Sequence, residues 1–352
     1  MTQAAILAAS GSPGTTTGFK NRIINGAMVI DQRNAGASVT PTNGQYTLDR
    51  WFASVSQASK FTVQQNAGSL TPVATTGFTN YLGCTSSSAY TIGAGEVFLI
   101  RQFVEGYNIA DLAWGTANAK TVTLSAWVYS SLTGTFGGSI NNPSENYNYP
   151  FAYTISSANT WTQISVTIAG PTSGTWGSTN STGLEINFSL GTGTNYSKTP
   201  SVWVNSAAFS CTGATSVVGT NGATWYVTGC QLEVGTTATN FDFRSIGTEL
   251  ALCQRYFEVI GGGNNGGADS FYQRSQGTSG QTYAATYSFQ VTKRTTATTT
   301  KYGTWAVQNC NQPATGGTSA TTYYIFVTAS ATADVYYYAN SSSCYVTASA
   351  EL

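Results

Sequence analysis

The 352-residue chain contains no histidine. That absence excludes Ser-His-Asp and Cys-His nucleophilic catalysis and every His-ligated zinc site. Charge is scarce too: 8% of residues are Asp, Glu, Lys or Arg, against about 25% in an ordinary soluble domain. Fourteen basic and fourteen acidic residues cancel, so no electrostatic footprint for nucleic acid or for an anionic membrane exists. Long apolar runs are missing, and nothing approaches the ~18 residues of a membrane span. The opening MTQAAILAASGSPGTTTG has no basic n-region and reads as neither signal peptide nor span. A protein made in a cytoplasm and released by another route is expected. The acids are scattered, without a D-x-D or E-x-x-E constellation. Glu96 and Glu105 flank one apolar strand, and Glu185 and Glu233 sit inside strands. A glycosidase would need two such carboxylates paired in space, so an enzyme is not expected. There is no Walker loop or dinucleotide fingerprint. The six cysteines show no C-x-x-C pair and read as reduced core residues, with Cys211 and Cys230 the best-spaced disulfide candidates.

What remains is Thr, Ser, Asn, Gln, Gly and 21 Tyr around a 41% hydrophobic content. That mixture favours strands and turns over solvated helices and is sufficient for a core. Strand-like runs are expected at 22–30, 46–55, 60–65, 97–104, 121–129, 151–155, 162–168, 184–190, 201–209 and 223–234. In 121–129 the residues Val122, Leu124, Ala126 and Val128 share one face. Alternation of this kind marks antiparallel sheets with one buried and one solvated side. Some ten strands separated by turn signals such as Asn221-Gly222 predict a two-sheet antiparallel jelly roll. Leu250, Cys253 and Phe257 recur at helical spacing, with Thr248 as the expected N-cap; a weaker turn is expected over 107–112. The predicted order is an N-terminal arm (1–18), a jelly-roll domain (19–245), a linking helix (246–258) and a small distal β domain (259–352). The fold class is all-β.

Three segments carry more than composition. They are GFKNRIINGAMVIDQRNAGA with YTLDRW (from Gly18 and Tyr46), NTWTQISVTIAGPTSGTW (from Asn159), and QLEVGTTATNFDFRSIGTELALCQRYF (from Gln231). Together they resemble a family of phage and prophage tail-fibre or virion surface proteins found among phages of cyanobacteria and other aquatic bacteria. The resemblance runs from about Gly18 to Phe257, and the C-terminal remainder looks like a variable distal domain. It implies a jelly roll similar to carbohydrate-binding modules, no catalysis, a symmetric oligomer that in fibres is a trimer, and a place on the virion with the arm docked to other virion proteins. Jelly rolls of that kind hold a structural calcium with acids on the first and last strands. Here the first strand lacks an early acid while Glu233 lies on the last, so the ligand set falls short and no cofactor is expected. The implied function is adsorption to host-surface polysaccharide. The alternatives are a capsid-decoration, head-fibre or other tail or baseplate structural protein, and a polysaccharide depolymerase.

Sugar rings lie against aromatic faces while amides bond their hydroxyls. Asn146, Tyr147 and Tyr149 on one loop, and Tyr336 and Tyr338 on one face of a distal strand, are therefore glycan-binding candidates. Trp127, Trp203 and Trp225 sit within expected strands and read as core. Asp49-Arg50-Trp51 reads as a partly buried ion pair locking a strand entry beside a core Trp. Lys20, Arg22, Asp31 and Arg33 form one of the few charged places, which suits either docking to a neighbouring subunit or plain solvation.

Overall fold

The computed structural model describes residues 20–73, 76–262, 271–317 and 319–352; the expected arm, residues 1–18, lies outside them. The first part is a sandwich of two antiparallel sheets. One contains, in spatial order, β1 (Gln45–Leu48), β2 (Trp51–Val55), β5 (Val97–Glu105), β10 (Thr182–Thr192), β7 (Gly134–Asn141) and β8 (Asn148–Ile155). The other contains β3 (Phe61–Gln65), β4 (Leu82–Ser86), β13 (Thr224–Val234), β6 (Val122–Ser130) and β9 (Thr162–Ile168). Between them lies one core, in which Trp51, Phe98, Phe136, Phe151, Phe188 and Trp225 are buried. This is the expected jelly-roll sandwich, with β6 phased as its sequence demands: Val122, Leu124, Ala126 and Val128 face inward.

β13 shows how a strand changes phase. Trp225 and Val227 enter the core, then Cys230 and Leu232 do, so the inward set shifts from odd to even numbers. A register break between Thr228 and Gln231 opposite β6 supplies the extra residue, as a bulge does. Gly229 sits there at φ 62°, and a Cβ on it would meet the Phe78 ring at 2.5 Å.

Two expected strands are not strands. Residues 22–30 form a turn, with Asn25 and Met28 at positive φ. The Asn25 side chain accepts from the Ile30 amide at 3.0 Å and donates to its carbonyl at 2.8 Å. Asn25-Gly26 is turn chemistry, and here it outweighs the apolar neighbours. Most of 201–209 is irregular and leads into β12 (Ser210–Cys211), which pairs in parallel with β11 (Ser197–Lys198). This strap lies over the outer face of the six-stranded sheet, where Asn141 and Asn148 donate to the carbonyls of Ala208 and Ser206. The turn expected over 107–112 is two short 3-10 turns, Gly106–Asn108 and Ala110–Leu112.

The helix α1 (Ile246–Gln254) is shorter than its periodicity suggests, and its cap is Ser245, whose side chain accepts from the Thr248 amide. It ends because Phe257–Gly261 is already a strand, β14, of the distal part. That part adds β15 (Tyr272–Gln276), β16 (Thr282–Ser288), β17 (Thr298–Lys301), β18 (Ala306–Gln308), β19 (Ala314–Gly317), β20 (Thr322–Thr328), β21 (Asp334–Tyr338) and β22 (Tyr345–Ser349). They form three three-stranded sheets, β14-β22-β17, β15-β21-β18 and β16-β20-β19, around a second core. A small third cluster joins the two parts: Ile24 and Ile30 pack with Cys253 and Tyr256. All six cysteines are free, and Cys211 and Cys230 are not bridged.

Candidate functional site

The outer face of the five-stranded sheet is built by the residues that alternate with the core set. On β6 these are Ser125, Trp127 and Tyr129; opposite Trp127 stand Gln163 on β9 and Thr228 on β13. At one end Tyr129 stacks on Tyr226 (5.2 Å, 5°) and packs against Trp161 (5.5 Å). In the middle opens a cleft of about 490 Å³ floored by Ser125, Trp127 and Gln163 and walled by Phe78, Phe241 and Phe243. The three Phe rings support one another at 4.8–5.1 Å between centroids, and Phe243 is 53% exposed. The bulge at Gly229 lets Phe78 approach the sheet and so shapes this wall.

Trp127 stands apart from the other seven tryptophans. Each of those donates its indole N–H to a carbonyl or, for Trp225, to the Tyr153 hydroxyl. Among the described residues Trp127 has neither a hydrogen-bond partner for its Nε1–H nor an aromatic neighbour, although it is only partly buried. The Gln163 side chain is exposed and likewise unbonded within the chain. Trp127 and Gln163, whose side chains make no hydrogen bond to other described residues, thus line one cleft together with the three Phe rings.

The residues singled out in the sequence lie elsewhere. Tyr147 stacks flat on Trp203 (5.3 Å, 7°), and Tyr149 touches the same indole at 5.2 Å. Trp114 and Trp176 complete this cluster with edge-on contacts to Trp203 and to each other. Trp203 is thus no core strand residue but the hub of a loop cluster. Tyr149 is 6% exposed and packs in the sandwich core. Asn146 is exposed, but its Oδ1 already accepts from Asn142. Tyr336 and Tyr338 share the outer face of β21 at 6.2 Å, opposite buried Tyr337, with Tyr272 of β15 beside Tyr338. Trp225 is core as expected, whereas Trp127 is not.

The N-terminal charges have partners within the chain. Arg22 binds Asp111 through both oxygens and the Asn108 carbonyl, and the Asp31 carboxylate accepts from the amides of Asn34 and Gly36. Arg33 pairs with Glu351 and lies 3.8 Å over the Phe257 ring. Lys20 donates to the Asn240 carbonyl at 2.5 Å, with Glu233 at 4.0 Å. Glu233 also accepts from Gln231 and from Thr239 twice. Among the described residues no cluster of three or more His, Cys, Asp or Glu side chains is placed to hold a metal.

Two carboxylates do converge, on the opposite sheet. Arg101 binds both Glu145 and Glu185, and burial pushes the Glu185 carboxyl up to about 8, with Glu145 adding to the rise. Burial likewise raises Asp49 to about 6. Both groups hold a proton in the folded chain at pH values where the unfolded chain has lost it, so stability falls as pH rises. The contribution is complete below the ordinary carboxylate range and is lost as pH passes about 6 for Asp49 and about 8 for Glu185. Urea titrations from pH 5 to pH 9 are expected to show that decline, and Glu185→Gln is expected to flatten its part above pH 6. An unchanged profile in that variant would remove Glu185 as the cause.

No protein-family model and no curated protein matches the chain. Among solved structures it is similar to the enzymatically active domain of tailspike protein 4 of bacteriophage CBA120, with 15% identity and a TM-score of 0.33 over 61% of this chain and 21% of that one. It is also similar to the family 11 carbohydrate-binding module of a cellulosomal cellulase of Clostridium thermocellum, with 8% identity and a TM-score of 0.27 over 59% of this chain and 100% of that one. The chain spans little more than a fifth of the tailspike structure. At these scores neither likeness adds to the fold, which rests on the strand order above. The described residues define an all-β protein: a jelly-roll sandwich carrying an aromatic cleft on its outer face, joined to a three-sheet domain.

Proposed function

We propose that the chain is a carbohydrate-binding structural protein without catalytic activity, and that the cleft over Trp127 is its glycan site. The observation that carries this is the unpartnered Trp127 ring and N–H beside the free Gln163 amide. A sugar needs an apolar face to lie on and neutral groups to bond its hydroxyls. Among the described residues no carboxylate lines the cleft, and the Glu145–Glu185 pair is held by Arg101 on the other sheet, which favours holding a glycan over cleaving it. The setting we propose is the virion surface, as a tail fibre that binds host polysaccharide during adsorption; the family resemblance from Gly18 to Phe257 supports that setting.

Trp127→Ala is expected to weaken glycan binding about 30-fold or more, the loss typical of a buried aromatic anchor of 2 kcal/mol or above. Unfolding should change little, since the ring is outside the core. Glycan-array binding with a urea titration checks both. A variant that binds like the parent protein would remove the cleft from consideration. Purified protein that blocks adsorption of the parent phage would support the fibre role, and undisturbed adsorption would favour a decoration role.

A further inference from the structure

We infer that the glycan taken by this cleft is an uncharged polysaccharide, a deduction that rests on the assignment of the cleft as a glycan site. Every described side chain that lines it is uncharged, from Ser125 and Gln163 on the floor to Thr239, Asn240 and the Phe walls. The charges beside that lining in the chain serve other contacts: Asp242, between Phe241 and Phe243, lies 4.0 Å from Arg244 and accepts from the Asn21 amide. Lys20 is held by the Asn240 carbonyl with Glu233 close by, and Glu233 accepts three further hydrogen bonds from Gln231 and Thr239. A uronate, sialate or sulfated sugar entering the cleft would shed water from its anion with no cation among the described lining residues to meet it. A buried charge left unpaired is strongly disfavoured.

The donors that are present suit hydroxyls instead. The Trp127 Nε1–H is a neutral donor, and the Gln163 amide offers two donors and an acceptor. A sugar hydroxyl both gives and takes a hydrogen bond, so it can satisfy an amide that an anion, an acceptor only, would satisfy on one side. Recognition of this kind carries no ion release and is insensitive to salt, in contrast to binding that pairs fixed charges.

The test uses the full chain and its Trp127→Ala variant in affinity electrophoresis and calorimetry. The neutral probes are mixed-linkage β-glucan and galactan, the acidic probes polygalacturonate and alginate, each at 20 and 500 mM NaCl. Expected is retardation by a neutral polymer that is lost in the variant and changes less than about twofold with salt. Binding of an acidic polymer that depends on Trp127 and fades with salt would overturn the inference while leaving the cleft a glycan site. If no polymer of either class binds through Trp127, the glycan assignment falls and this inference with it.

Discussion

Lys293→Met is expected to destabilise the distal domain by about 3–5 kcal/mol, the usual result of leaving one member of a buried ion pair alone. Lys293 and Glu258 are both sealed from solvent, with side-chain exposures of 0% and 1%. The ammonium also donates to the Gln254 carbonyl at 2.6 Å and lies 4.9 Å over the Phe289 ring, while Glu258 accepts from the Gln290 amide. Burial pulls the Lys293 ammonium below its ordinary range, and Glu258 is what opposes that pull. The pair therefore ties the loop after β16 to β14, at the point where the helix hands over to the distal sheets. Replacing both members, Lys293→Met with Glu258→Leu, is expected to recover more than half of the loss, because no lone charge is then left behind. Chemical denaturation of the single and double variants checks this. A single variant within about 1 kcal/mol of the parent protein would show that solvent reaches the site.

The second large effect is expected at Arg50. Its guanidinium binds Glu351, donates to the Phe103 carbonyl at 2.5 Å and lies 3.6 Å over the Tyr256 ring. Arg33 holds the other oxygen of Glu351, and Arg255 with the Tyr256 hydroxyl holds Glu105. Groups from β5, the first turn region, the end of α1 and the stretch after β22 thus meet in one polar junction. Arg50→Ala removes the central cation, takes the donor from the Phe103 carbonyl and leaves the Glu351 carboxylate with Arg33 alone, at a cost of about 3–5 kcal/mol. Calorimetry is expected to show one cooperative transition for the parent protein and two separated transitions for the variant. A single unshifted transition in Arg50→Ala would mean that the apolar contacts of Ile24, Ile30 and Tyr256 suffice to couple the two parts.

The all-β class, the phase of β6 and the position of α1 are legible in the sequence because local periodicity needs only neighbouring residues. The core position expected for Trp127 follows residue type and is wrong: the alternation that puts Val128 inside puts Trp127 outside. Its cleft is not legible, because the walls come from Phe78, Phe241 and Phe243, more than 160 residues apart in the chain for the first and last. The Asp49-Arg50-Trp51 segment does hold a buried ion pair beside a core Trp, but the partner of Arg50 is Glu351, which no local pattern can supply. The turn at Asn25-Gly26 is announced by its dipeptide and masked by the apolar residues around it. Tyr147 and Tyr149 look like open sugar platforms in the sequence, whereas their faces are largely taken by Trp203, a contact made across loops.

The distal sheets have a consequence for synthesis. In each of the three, the middle position belongs to one of the last three strands, β20, β21 or β22. During translation the six strands β14–β19 therefore leave the ribosome before any of them has its hydrogen-bonding partner. They wait as unpaired edges, the state most prone to joining the wrong neighbour. Only when residues 322–349 arrive can all three sheets zip, and they do so in the reverse order of their opening strands: the third sheet first and the first sheet last. Glu258 on β14, Arg274 on β15 and Lys301 on β17 put a charge on three of those six waiting strands, and charge is what keeps an unpaired edge from joining the wrong neighbour.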